Sequence, residues 1–232
     1  MVATPKFRAL AAVIFTTAGL LIASHASGQV PDAGNSSMPS GLQLVGSAGG
    51  IVDPAGKAMM TIRDAAGIPV PIGTPVTIDF FNCTINPNND LHVCMNQTFP
   101  GVSLVGACPA NPVFGAITGP FGVVEFRLLG HATAGPGNTP GVTAGCAVVR
   151  AGVPPVIMTV LRVGAYNLDG VGGVTAADQA LFLATFFSSP AGYRTRADYN
   201  GDGLCNSADF SKFLSVEFSG ASAVKCAPPN CF

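Results

Sequence analysis

The sequence predicts a mainly β protein, an antiparallel β-sandwich followed by a small α-helical module. Three observations carry that reading. From about Leu42 to Val163, short apolar runs are cut by turn residues, in a chain that holds 29 Gly and 19 Pro. Inside one of those runs apolar and charged residues alternate with period two, which assigns one set to each face of a sheet. Beyond Val163 the pattern changes to two loops rich in Asp and Gly, each followed by an apolar stretch with helical spacing.

Taken in order, the chain opens with Lys6 and Arg8, an apolar stretch from Ala9 to Ala23, and small residues around Ala26 and Gly28. This is the pattern of a secretory signal peptide, expected over residues 1–28. The stretch is shorter than the roughly 20 residues a membrane span needs, and no later run reaches that length uninterrupted, so no membrane span is expected. The expected location is secreted, extracellular or at the cell surface. Removing Lys6 and Arg8 leaves nine basic residues against 12 acidic ones, a net charge of −3. The basic residues are scattered, so nucleic acid is excluded as an expected partner. Charged residues are 10% of the chain, against a usual ~25%, while 48% apolar residues supply material for a core. Residues 29–41 are small and polar and read as a flexible spacer.

Strands are expected at Met59–Arg63, Val76–Phe81, Val123–Leu129, Cys146–Arg150 and Val156–Val163. In the third, Val124, Phe126 and Leu128 alternate with Val123, Glu125 and Arg127, so the apolar set faces a core and the charged pair faces solvent. Frequent turns over residues 42–163 fit a two-sheet sandwich better than the alternative, a barrel. Asp64-Ala-Ala-Gly67-Ile-Pro69-Val-Pro71 before Val76–Phe80, and Gly122-Val-Val-Glu-Phe126, resemble an inter-strand turn and a post-turn strand of bacterial immunoglobulin-like domains. That resemblance implies an immunoglobulin-like antiparallel β-sandwich.

Seven cysteines without a paired C-x-x-C point to disulfides rather than zinc in an exported chain. Connectivity does not follow from sequence. Proximity favours Cys83 with Cys94, Cys108 with Cys146, and Cys226 with Cys231, leaving Cys205 over; a bridge from Cys205 to the tail, residues 221–232, is the rival.

The chemistry lies beyond residue 165. Asp198-Tyr-Asn200-Gly-Asp202-Gly203-Leu-Cys-Asn-Ser-Ala-Asp209 places oxygen side chains at loop positions one, three, five and twelve, with glycine at position six for the sharp turn. Hard cations such as Ca2+ take six to eight oxygens in loops of this spacing. The candidate ligands are Asp198, Asn200, Asp202, the Leu204 carbonyl and Asp209. Upstream, Asn167-Leu-Asp169-Gly-Val171-Gly172-Gly173-Val-Thr-Ala-Ala-Asp178 aligns with it without a gap. Past the loops, Phe182, Leu183 and Phe187 match Phe213, Leu214 and Phe218, as expected of an internally duplicated unit. The first copy offers Asn167, Asp169, the Gly173 carbonyl and Asp178, but Val171 brings no oxygen to position five. Unequal occupancy by calcium is expected, because affinity follows the number of charged ligands.

Aspartate at position twelve, the helix that follows and the duplication resemble a dockerin, the calcium module that docks secreted proteins onto cohesin receptors. The resemblance covers residues 165–220 and implies Ca2+ as cofactor and a cohesin-like or other surface protein as receptor. It implies partner contacts at the tenth and eleventh loop positions, Ser207 and Ala208 in one half and Ala176 and Ala177 in the other. No catalytic constellation accompanies these loops. His92 and His131 stand outside any triad or metal motif and read as loop residues. Asp79 and Glu125 could be a glycosidase pair only on neighbouring strands, and both fall at solvent-facing positions. The glycines between Gly135 and Gly141 lack the strand-then-helix setting of a phosphate loop. The expected function is that of a secreted, non-catalytic calcium-binding protein attached to a partner through the module. The alternative is an architectural surface or matrix component in which calcium is purely structural.

Overall fold

Alternation along the Val123 segment is present as expected: Val124 and Phe126 are buried while Val123 and Glu125 are half-exposed. It is seen in a computed structural model, which describes residues 29–84, 91–108, 112–133, 145–186 and 195–225. The protein is mainly β. Its strands in chain order are β1 (Gly41–Val45), β2 (Ser47–Ala48), β3 (Ile51–Val52), β4 (Ala58–Thr61), β5 (Pro75–Asp79), β6 (Leu91–Val93), β7 (Ser103–Leu104), β8 (Val113–Ile117), β9 (Val123–Phe126), β10 (Leu128–Ala132), β11 (Ala147–Ala151) and β12 (Val156–Ala165). Helices are α1 (Phe81–Thr84), α2 (Ala176–Phe186) and α3 (Ser207–Ser219).

Eight strands form one large curled sheet in the order β6-β10-β1-β12-β11-β5-β8-β7, and β4 pairs with β9 as a separate two-stranded ribbon. The run expected as a single strand from Val123 to Leu129 is two strands. The chain leaves the ribbon at Arg127, whose guanidinium lies 4.8 Å from the centre of the Phe99 ring and 2.7 Å from Glu125, and enters the large sheet as β10. Pairing is antiparallel throughout this sheet except at β1, which runs parallel to both β10 and β12. Period-two patterning specifies which face a residue takes, not the direction of its neighbour, so the sequence carries no signal for that exception.

Two hydrophobic cores lie on opposite faces of the large sheet. The first holds Leu42 and Leu44 of β1, Met60 of β4, Ile78 of β5, Phe114 of β8, Phe126 of β9 and Leu128 of β10, so the ribbon closes over the sheet here. The second contains Val45 and Leu129 from the same strands together with Tyr166, Leu168, Phe182, Tyr199, Phe213 and Val216 from the C-terminal segment. The pleat sends Leu44 one way and Val45 the other. All of β10 is buried because both its faces are covered. The helical segment therefore shares a core with the sheet.

Several expectations are corrected. Residues 29–41 do not form a loose spacer: the Asp32 N–H donates to Arg63 O at 2.8 Å, and Ser37 and Thr61 exchange two backbone bonds at 2.9 Å. Away from β9, the edge of β4 has backbone groups that need partners, and this segment supplies them. Cysteine pairing also differs. Cys83 is bridged to Cys146, with Cα atoms 4.9 Å apart, rather than to Cys94, and Cys146 is accordingly not bridged to Cys108. Cys94 and Cys108 are each disulfide-bonded. The pairing of β5 with β11 explains the bridge, since Asp79 lies opposite Val148 and the residues flanking those strands meet. Phe218, matched in the repeat to Phe187, is 79% exposed and outside the core. The expected signal segment, Phe187, the glycines between Gly135 and Gly141 and the expected pairing of Cys226 with Cys231 lie outside the described residues. Among the described residues no helix is long and apolar enough to cross a membrane.

Candidate metal centre

Strand β12 runs directly into the first loop, and α2 follows it. The second loop is entered from a short 3-10 turn at Thr195–Ala197 and leads into α3. Helix α3 begins with a capping box: Asn206 accepts from the Ala208 N–H at 2.8 Å, while the Asn206 N–H donates to Asp209 at 3.0 Å. The same carboxylate accepts from the Asn200 N–H at 3.0 Å, so Asp209 ties the start of the loop to the start of the helix. Asp178 does this for the first loop, accepting from the N–H groups of Leu168, Asp169 and Thr175 at 2.6, 3.1 and 2.8 Å. Burial pushes the carboxyls of both Asp178 and Asp209 above their ordinary pKa, and the charge of Asp198 adds to the effect at Asp209.

In the second loop, ligand oxygens of Asp198, Asp202 and Asp209 lie within 4.8 Å of one another. Among the described residues this is the one cluster of three or more such groups that could hold a metal. Asp198 is buried and oriented by backbone donors, Gly201 N–H at 2.7 Å on Oδ1 and Gly203 N–H at 2.8 Å on Oδ2. Gly203 reaches that oxygen at φ +90°, a conformation that a residue with a Cβ adopts only under strain. Asn200 accepts from the Asp202 N–H at 2.8 Å, Asp202 accepts from the Leu204 N–H at 2.8 Å, and the Asn200 amide donates to Asp202 at 2.8 Å, so positions three and five are tied to each other. The Leu204 side chain points outward, 62% exposed. Converging carboxylates repel one another, and a hard divalent cation among them relieves that repulsion. The donor set, all oxygen and three of it anionic, suits a hard divalent cation.

The first loop has the same frame and different contents. Asn167 and Asp178 are buried, Asp169 is half-exposed, and Val171 is 68% exposed. The Asn167 Oδ1 accepts from the Gly170 N–H at 2.7 Å, as Asp198 does from Gly201. Its Nδ2 donates to the carbonyls of Gly172 and Gly173, at 3.1 and 3.4 Å. This loop holds only two carboxylates, Asp169 and Asp178, so no cluster of three His, Cys, Asp or Glu groups forms here among the described residues. The two helices meet at Phe182, stacked 5.7 Å from Phe213 and 5.8 Å from Tyr199, and Tyr199 stacks in turn 4.4 Å from Tyr166. Ser207, Ala208, Ala176 and Ala177 are all exposed at the first turns of α3 and α2.

Residues that the motif did not reveal hold the second loop to the sheet. Arg162 on β12 donates to Gly201 O at 3.0 Å and lies 3.4 Å from Asp198. Ser40 donates to Asn200 O at 2.6 Å, and Gln43 to Tyr199 O at 3.2 Å. Ser40 is separated from Asn200 by 160 positions, and no local pattern encodes such a contact. Cys205 is a thiol, half-buried against the second core. His92 and His131 are strand residues rather than loop residues, opposite each other on β6 and β10 and stacked 5.0 Å apart. Asp79 and Glu125 lie on strands of different sheets and pair with Arg150 and Arg127, each at 2.7 Å. No protein-family model matches the chain, and no curated protein or solved structure matches it either.

Proposed function

We propose that this is a secreted, non-catalytic calcium-binding protein: an immunoglobulin-like β-sandwich joined to a dockerin-like module that attaches it to a surface protein receptor. The convergence of Asp198, Asp202 and Asp209 within 4.8 Å in the second loop carries the calcium reading. Exposure of Ser207 and Ala208 beside that loop supports a partner surface whose shape depends on the ion. A second reading, the architectural one, is favoured by the shared second core, which makes the helices part of the sheet's own packing.

Because of that core, the test uses the whole chain from residue 29 as bait. Secreted and envelope proteins are captured in calcium and in EDTA, with the Asp198→Ala/Asp209→Ala double variant alongside. A partner retained only by the wild-type chain in calcium supports docking. A folded chain that binds calcium, melts lower in EDTA and captures nothing supports architecture. A chain with no calorimetric response to calcium overturns both readings.

A further inference from the structure

We infer that the first loop is held closed by the Asn167 side-chain amide in place of a cation, so that calcium closes the second loop alone. The inference rests on the calcium reading of the second loop. At position one both loops share one bond: Asn167 Oδ1 accepts from Gly170 N–H, and Asp198 Oδ1 accepts from Gly201 N–H, each at 2.7 Å, with Asp198 Oδ1 accepting also from the Asp202 N–H at 3.1 Å. That bond fixes which way the Asn167 amide points. The other atom distinguishes them. In Asp198 it is an anionic oxygen, Oδ2, which accepts from the Gly203 N–H at 2.8 Å and lies 3.4 Å from Arg162, and in Asn167 it is an NH2 group donating to Gly172 O and Gly173 O. Gly173 is position seven, whose carbonyl binds the ion in a calcium loop. Two amide hydrogens meet two carbonyl oxygens, which places positive charge density where a cation would supply it.

The remaining positions agree. Val171 has no oxygen to offer. Asp178 accepts from three backbone N–H groups and the Thr175 hydroxyl, bonds that close the loop onto the start of α2. Cationic braces do not account for the difference, because both loops have one at position four: the Lys225 ammonium on Gly170 O and the Arg162 guanidinium on Gly201 O. Backbone bonds from Lys225 N–H to Gly172 O and from Val174 N–H to Ser222 O, each at 3.0 Å, hold the first loop further.

Amide hydrogen exchange on the whole chain from residue 29, in calcium and in EDTA, tests this. Gly170 and Val171, which exchange through local opening of their own loop, should keep their protection in both. Gly201 and Gly203 should lose about 100-fold on chelation from calcium at a hundred times the dissociation constant. Calorimetry should count one calcium per chain. Asn167→Asp replaces the amide with an oxygen facing two carbonyls, so protection at Gly170 should collapse in EDTA and return with calcium, and the count should rise to two. Two calcium ions on the wild-type chain, or parallel loss of protection in both loops, would overturn the inference; so would unchanged protection at Gly170 in Asn167→Asp. A second loop indifferent to calcium sinks the underlying calcium reading instead, and the Asn167→Asp result in EDTA still decides whether the amide holds the first loop. Should that variant fail to fold, the wild-type exchange pattern and calcium count decide.

Discussion

Asp209 combines two functions in one side chain. It completes the capping box of α3 and supplies an oxygen to the acidic cluster, so substitutions nearby separate helix stability from metal affinity. Asn206→Ala removes the cap and a 3.5 Å contact from its Nδ2 to Asp202, and should cost about 1 kcal/mol in urea unfolding while retaining most of the stabilisation by calcium. Asp209→Ala should abolish that stabilisation as well, which the same titration in calcium and EDTA reads out. His131 gives a second prediction at this scale. It is 3% exposed, and burial holds its pKa below the ordinary 6.5, with the charges of His92 and Lys225 acting in the same direction and the hydrogen bond to Ala132 O opposing. The unfolded chain takes up a proton near 6.5, while the folded chain does so only at lower pH. Its contribution is therefore complete above 6.5 and declines as pH falls through that value toward the folded pKa. Thermal melts of His131→Gln should show a flatter decline over that window than wild type.

Among the elements, the Cys83–Cys146 bridge closes a loop of 63 residues between α1 and the approach to β11. Loop-closure entropy for such a length is on the order of 4 kcal/mol, so Cys83→Ala/Cys146→Ala should lower the unfolding free energy by that order. Denaturant titration of the double variant checks it. Local pattern made the strands readable: β5, β9, β11 and β12 lie within the expected runs to within a residue or two, because period two is written along each strand. The repeat made the acidic loop readable for the same reason. What was hidden depends on partners far along the chain: the parallel insertion of β1, the seating of residues 29–41 on β4, and the cysteine pairing. Phe218 was misplaced by matching letters rather than angles. Asp209, Phe213 and Val216 define the buried stripe of α3, and five residues beyond Phe213 lies about 140° round the helix.

For the molecule as a whole, β1 and β10 separate two cores that both depend on them. Phe182 is fully buried at the centre of the second, among Phe186, Tyr199, Phe210 and Phe213. Phe182→Ala should cost about 3–5 kcal/mol and shift one cooperative transition, since the sheet loses the cover on one face when the helices loosen. Circular dichroism and near-ultraviolet melts that separate into two transitions would refute that coupling. Calcium should act on the same unit. At millimolar calcium and a micromolar dissociation constant the linkage is about 4 kcal/mol, a large part of the ~5–15 kcal/mol that stabilises an ordinary domain. EDTA should thus lower the melting temperature of the β signal together with the helical one.

Ser222, whose hydroxyl reaches the buried Asp53 carboxylate at 2.7 Å across 169 positions, ties the end of the described chain to its first strands. Asp53, Gly46 and Ser47 are synthesised early, and their partners Ser222 and Val224 arrive only after both helices. A nascent chain that has not yet released residue 222 can pair its strands but has no hydroxyl for Asp53 and no rung for Ser47. A chain cut before Ser222 keeps both helices and the second core they fill, but leaves the buried Asp53 carboxylate without its hydroxyl donor and Ser47 without its backbone partner.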